Sequence, residues 1–352
     1  MFPSLWISLI ALIISLAVLV KGADLFLGAA SKIAKHFGIS EFIIGLTVVS
    51  VGTSLPELAT AITASFAKTP EIIMGNIIGS NIANIGLVLG ITLIFVTVLI
   101  KKHEFDRIYI MLLSILLFAL FASDLQISRF EAAILLASFL LYFGGFFKVR
   151  EKIKHYKQYF SSALELRGLL SLKKLREIRA ARKKMHAGER ISKKLAREAY
   201  LYEMVRESAV LVAGIVLIIV GSKFTIDSAV DLAFFLNAPQ VIVAALLIAV
   251  GTSLPELFVN LTGIKKGYTK MVLGTILGSN IFNILAIIGI AGIISPIAIT
   301  KSTLTFLIPA MLIFSFILFF ILRRGHKIGR MEGISLTVLY VLFLLGLLSS
   351  SF

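Results

Sequence analysis

The chain contains no cysteine. Disulfides, thiolate metal centres and cysteine nucleophiles are therefore excluded. Proline is sparse, with seven residues in 352, and tryptophan occurs once. Charge is scarce as well. Asp, Glu, Lys and Arg make up 15% of the residues against 58% hydrophobic ones, and mean hydropathy is +0.99. A water-soluble domain carries about a quarter charged residues, so this composition points away from one. Acids are the rarer sign, 19 against 35 Lys and Arg, and the net charge is +16. Such a charge suits nucleic acid or a membrane surface, and its distribution decides between them.

What the sequence does have is length in apolar runs. Runs of about 20 apolar residues recur, each able to span a hydrocarbon core of roughly 30 Å. Ten spans are expected near 4–30, 42–66, 71–100, 108–123, 129–147, 208–232, 239–264, 270–294, 303–322 and 333–350. The first starts at Phe2 without a basic lead and ends in KGADLFLGAASK, which shows no clear cleavage site. It is expected to be a spanning helix rather than a removed leader. When Lys and Arg are sorted by alternate sides, one side collects Lys32, Lys35, Lys101, Lys102, Arg107, everything basic in 148–206, Lys265, Lys266, Lys270 and the 323–330 group. The other receives only Lys68, Arg129, Lys223 and Lys301. The positive-inside rule makes the rich side cytoplasmic and places both termini outside. The basic charge thus reads as a membrane-surface pattern, and no nucleic acid is expected.

VGTSLPEL occurs at 51–58 and again at 250–257. The offset of 199 residues holds without a gap over a long stretch. Gly22 matches Gly221, Gly75 matches Gly274, Gly79-Ser80-Asn81-Ile82 matches Gly278-Ser279-Asn280-Ile281, and Asn84 matches Asn283. The chain is a duplication: a first five-helix repeat over 1–147, a basic amphipathic linker over 148–207, and a second five-helix repeat over 208–352. Five spans per repeat turn the second half upside down in the membrane. The expected fold is therefore an all-α polytopic membrane protein of ten transmembrane helices in two inverted repeats, the plan of many secondary transporters. The linker is expected to form two cytoplasmic amphipathic helices, as a solvated hairpin or against anionic lipid headgroups.

Among the acids, Glu57 and Glu256 alone fall mid-span, and no Lys, Arg or His accompanies them there. A charge at that depth costs about 2.5–3.5 kcal/mol on insertion scales, which makes it a functional-site hypothesis that needs a partner. With no embedded cationic side chain, the partner must be a mobile cation or a proton. The neighbours favour a cation. Pro56 and Pro255 have no N–H to give the carbonyls of Gly52 and Gly251. Thr53 and Glu57 share a face at i, i+4, with Ser54 beside them. Ser80 and Asn84 repeat that spacing in the next span, and Ser279 and Asn283 mirror them. Two such half-sites make one cavity of oxygens with two negative charges, matched to one Ca²⁺ with its six to eight oxygen ligands, or to several Na⁺. Ser54-x-x-Glu57 is also a capping box that would merely restart a broken helix. Gly75/Gly79 and Gly274/Gly278 read as close-packing contacts. Asn81 and Asn280 fit interhelical hydrogen bonds and ion ligation equally well. Lys21 and Asp24 read as a local i, i+3 pair.

These residues resemble the calcium/cation antiporter superfamily, in particular the prokaryotic type of its sodium/calcium exchanger branch. The resemblance lies in the two GTSLPEL segments and in GNIIGSNIANIGLVLG (75–90) and GTILGSNIFNILAIIG (274–289). It implies a cation site between the second, third, seventh and eighth spans. Its ligands would be Thr53, Ser54, Glu57, Thr252, Ser253 and Glu256, joined by Ser80, Ser279, Asn84 and Asn283, with Ser50 and Ala249 offering main-chain carbonyls. Potassium-dependent relatives carry Asp where Asn283 stands, so the resemblance implies sodium without potassium. The implied activity is electrogenic antiport of Na⁺ against Ca²⁺ in the cell membrane by a monomer, with no cofactor and no enzymatic chemistry. An H⁺/Ca²⁺ antiporter is the alternative. A channel is disfavoured by the inverted repeat, and an intramembrane enzyme by the lack of an embedded base.

Overall fold

In a computed structural model of the chain, residues 4–37, 40–100, 102–147, 192–235, 253–324 and 327–350 are described. The linker expected at 148–207 lies outside them up to residue 191, as do much of the span expected at 239–264 and the candidate ligands Ala249 and Thr252.

The apolar runs fold as helices. In the first half these are α1 (Leu5–Phe37), α2 (Glu41–Thr53), α3 (Leu55–Ala67), α4 (Pro70–Phe95), α5 (Lys102–Phe121) and α6 (Arg129–Phe147). In the second half they are α7 (Lys193–Phe235), α8 (Leu254–Lys265), α9 (Thr269–Ile294), α10 (Thr303–Arg324) and α11 (Arg330–Ser350). Among the described residues, seven helices are long and apolar enough to cross a membrane, and α2 with α3 makes an eighth if that bent pair is one span. α7 runs unbroken across residue 207, so chain from the expected linker continues directly into a spanning helix.

Burial is inverted relative to a soluble protein. Trp6, Ile13, Phe66, Leu113, Leu120, Phe130 and Leu141 are all more than half exposed, whereas Ser54, Glu57, Asn81, Asn84, Glu256, Asn280 and Asn283 are fully buried. Lipid solvates apolar side chains, so the outside needs no polar cover and polar groups collect inside, where they find partners. The molecule is a multi-pass membrane protein.

Two short antiparallel ribbons tie the halves. β1 (Val98–Leu99), after α4, pairs with β4 (Lys327–Ile328), after α10. β2 (Gln126–Ile127), before α6, pairs with β3 (Ile297–Ala298), after α9. Val98 and Ile297 match at the 199-residue offset, so each half supplies the corresponding strand to a ribbon completed by the other half.

The helices form two apolar clusters. The larger joins α4, α5, α9 and α10. The smaller is centred on α1 and includes Leu19, Phe26, Leu27 and Ala30 with Ile218 of α7, Ile44 and Val49 of α2, and Leu254 and Val259 of α8. α1 and α7 approach closely because both carry glycine at their contact. A Cβ at Gly22 would sit 2.8 Å from the Ile218 nitrogen, and one at Gly221 would sit 2.7 Å from the Leu19 nitrogen. The close-packing expectation holds on α9, where a Cβ at Gly274 or Gly278 would strike the main chain of Phe42 or Leu46 on α2. On α4 nothing among the described residues approaches Gly75 or Gly79.

Asp24 has a nearer partner than the local one expected. Lys266, just past α8, places its Nζ 2.8 Å from Asp24 Oδ1 and donates to the Asp24 carbonyl at 2.8 Å, while Lys21 stands 3.9 Å away. Sequence spacing could suggest only the neighbour on the same helix. The tertiary fold brings the second lysine from 242 residues away.

Candidate functional site

The two VGTSLPEL segments fold alike where both are described. α2 and α3 meet at Ser54 with a bend of 45°, and Ser54 has φ −88° and ψ 11°. Ser253 before α8 has φ −103° and ψ 4°. Both serines sit in the sparsely allowed bridge region, where the chain leaves regular helix. Pro56 and Pro255 then occupy the first turn of α3 and α8, where a missing N–H costs nothing. Glu57 and Glu256 follow in the same first turns and are wholly buried.

Neither serine side chain caps its helix. Ser54 instead donates to Glu256 Oε1 at 3.2 Å, across the two halves. The capping-box reading fails for that reason: the hydroxyl serves the opposite carboxylate, not its own helix start. Ser80 on α4 donates to Glu57 Oε1 at 3.2 Å. Asn76, one turn earlier on α4, donates to the Glu57 carbonyl at 3.3 Å and fastens α4 against α3.

Asn84 and Asn283 stand where α4 and α9 widen into π-winding, over Asn84–Leu89 and Phe282–Ile287. Such bulges recur at functional sites because they displace one residue from the helical register. Nothing in the periodicity revealed them. Asn283 donates to Asn81 Oδ1 at 3.0 Å and to Ser80 Oγ at 3.4 Å, and Asn84 donates to Asn280 Oδ1 at 3.2 Å. Asn81 and Asn280 therefore spend their side-chain oxygens on other asparagines. Of the two roles the sequence left even for them, interhelical hydrogen bonding is the one the structure shows.

The arrangement leaves buried oxygens over. Among the described residues, Glu57 Oε2, Glu256 Oε2, Asn84 Oδ1, Asn283 Oδ1, Ser253 Oγ and Ser279 Oγ have no hydrogen-bond partner. Buried polar atoms in folded proteins are nearly always paired, so six orphans from one residue set ask for a ligand. Every one is an oxygen, and two belong to carboxylates. No ion pair among the described residues involves Glu57 or Glu256. Oxygen donors with two formal charges suit a hard cation.

Two other expected ligands, the Thr53 hydroxyl and the Ser50 carbonyl, bond to each other. The Thr53 hydroxyl donates to the Ser50 carbonyl at 3.3 Å, and the Ser54 N–H donates to that same carbonyl at 3.1 Å. Both lone pairs of the Ser50 carbonyl are thus engaged, and it reaches a cation only if Thr53 turns away.

Comparison with known proteins agrees with this chemistry. The family described as sodium/calcium exchanger protein matches residues 7–148 and 207–349. The sodium/calcium exchanger MaX1 of Methanosarcina acetivorans is 35% identical over 96% of this chain and 97% of its own length. The inner membrane protein YrbG of Escherichia coli is 32% identical over 95% and 94%. Among solved structures, the sodium-calcium exchanger NCX_Mj soaked with zero Na⁺ and Ca²⁺ superposes with a TM-score of 0.73 at 28% identity, covering 98% of this chain and 100% of that one. By sequence over both halves and by fold over nearly its whole length, the chain belongs to the sodium/calcium exchanger protein family, whose members are transporters rather than enzymes.

Proposed function

We infer that the protein is a secondary active antiporter that exchanges Na⁺ for Ca²⁺ across the cell membrane, using one site built on Glu57 and Glu256. The observation that carries this reading is the set of six buried oxygens, two of them from Glu57 and Glu256, that find no hydrogen-bond partner and no basic side chain among the described residues. A Ca²⁺ ion there cancels both charges and gains oxygen ligands from α3, α4, α8 and α9. Thr53, Ser54, Ser80 and Thr252 complete the set. Na⁺ ions competing for the same oxygens displace it, and that competition is what couples the two gradients. Asn283 contributes a neutral oxygen where a third carboxylate would favour an additional cation, so potassium is not required.

Ten spans in two inverted repeats place the site near the midplane, reachable from either side. α1 and α7 form their own apolar cluster against α2 and α8. Sliding of that pair past the ion-binding helices opens one side and closes the other. The basic linker then faces the cytoplasm and both termini face outward. The chain acts as a monomer and needs no cofactor.

The test is Ca²⁺ uptake into proteoliposomes of purified protein, first with an outward Na⁺ gradient and then with a pH gradient alone. Uptake with Na⁺ and none with pH is expected. Uptake driven only by the pH gradient selects proton coupling instead.

A further inference from the structure

We propose that Asn81 and Asn280 are positioning residues of the cation site: a clasp across the two halves that fixes which way Asn283 and Asn84 point their amide oxygens. This rests on the site reading above and adds a role for residues that hold no ion themselves.

The argument is donor and acceptor arithmetic. An asparagine amide has two N–H hydrogens and one carbonyl oxygen, and rotating it by half a turn exchanges them. A cation accepts only the oxygen side. Asn283 spends its amide nitrogen on Asn81 Oδ1 and Ser80 Oγ, and its own Oδ1 is buried without a partner among the described residues. Asn84 spends its nitrogen on Asn280 Oδ1, and its Oδ1 is likewise buried with no partner among the described residues. In both cases the acceptor that turns the oxygen toward the site comes from the other half of the chain.

The clasp is itself locked. Asn81 donates to the Asn280 carbonyl at 3.4 Å and to Met311 Sδ at 3.7 Å. Asn280 donates to the Asn81 carbonyl at 3.4 Å and to Met111 Sδ at 3.7 Å. If Asn81 turned over, its oxygen would face a carbonyl and a sulfur, and its N–H groups would face those of Asn283. Each flip replaces attractive contacts with repulsive ones in a buried site, where polar mismatches are most costly. The two thioethers lie on α5 and α10, so helices that contribute no ligand hold the orientation of those that do.

A double-mutant cycle separates positioning from general support. Asn81→Ser is expected to raise the Ca²⁺ KM for Na⁺-driven exchange about tenfold, as removal of an orienting partner does for metal sites, with kcat little changed. In an Asn283→Ala background no amide is left to orient. There the same substitution is expected to change KM by less than about twofold. The mirror cycle, Asn280→Ser with Asn84→Ala, follows the same rule and serves if the first pair does not insert. Met311→Leu keeps the volume, removes one lock, and is expected to raise KM by a smaller factor. Equal KM changes in both backgrounds, or no change in either, overturn the clasp. If Glu57→Gln leaves Ca²⁺ exchange intact, the site reading itself is wrong. If Glu57→Gln abolishes exchange while the cycle is additive, only the clasp is wrong.

Discussion

The hydroxyl of Ser54 donates to the carboxylate of Glu256 at 3.2 Å, and the two residues stand 202 positions apart. One half of the chain thus serves a buried carboxylate of the other. Glu256 draws a partner from the opposite half, whereas Glu57 accepts from Ser80 of its own half.

Ser54→Ala removes that donor and leaves Glu256 Oε1 with one partner fewer. A hydrogen bond to a charged group contributes about 1.5–3 kcal/mol. The substitution also removes an oxygen proposed to reach the cation, so Ca²⁺ affinity is expected to fall by roughly tenfold, the lower end of that range. Isothermal titration of the purified variant with Ca²⁺ reads the change. An affinity equal to wild type assigns Ser54 to helix geometry alone.

Gly274 and Gly278 let α9 lie against the main chain of α2. Gly278→Ala puts a methyl group into the Leu46 carbonyl and Ser50 hydroxyl. Overpacking of this kind costs about 1–3 kcal/mol. The variant is expected to melt several degrees lower in detergent and to lose flux, since α2 carries the approach to Glu57. Gly75→Ala meets nothing among the described residues and serves as the comparison. Thermal melts of the two variants check this.

Lys266 joins Asp24 at 2.8 Å, linking α1 to the end of α8. If α1 slides during transport, this contact breaks and reforms in each cycle, while the ion ligands are untouched. Asp24→Asn is expected to alter turnover by about two- to threefold, in keeping with the modest energy of a partly exposed pair, and to leave the Ca²⁺ KM unchanged. The exchange Asp24→Lys with Lys266→Asp is expected to restore the rate. A change confined to KM removes the link to helix movement.

Much of this was legible in the sequence, for reasons particular residues make plain. Glu57 and Glu256 stand out because a carboxylate is costly in hydrocarbon, and the 199-residue echo pairs them in the sequence itself. The apolar runs announced helices by length alone. The helix break at Ser54 followed from Pro56, but the destination of the Ser54 hydroxyl did not, because a capping box and an ion ligand look identical in one dimension. Asn81 and Asn280 were undecided for the same reason, and only the fold shows their oxygens already spent. The π-windings at Asn84 and Phe282 leave no periodic trace, since one inserted residue does not disturb an apolar run. Lys266 reaches Asp24 through tertiary structure that local spacing cannot encode.

The account stands most directly on the two carboxylates. For each, Ca²⁺ uptake driven by a Na⁺ gradient is to be measured in proteoliposomes containing Glu57→Gln or Glu256→Gln protein, with insertion verified. Removing one unit charge beside a divalent ion costs on the order of 4 kcal/mol or more at short range, so a loss of at least about a hundredfold is predicted for each variant. Full Na⁺-driven uptake by either correctly inserted variant would contradict the central claim.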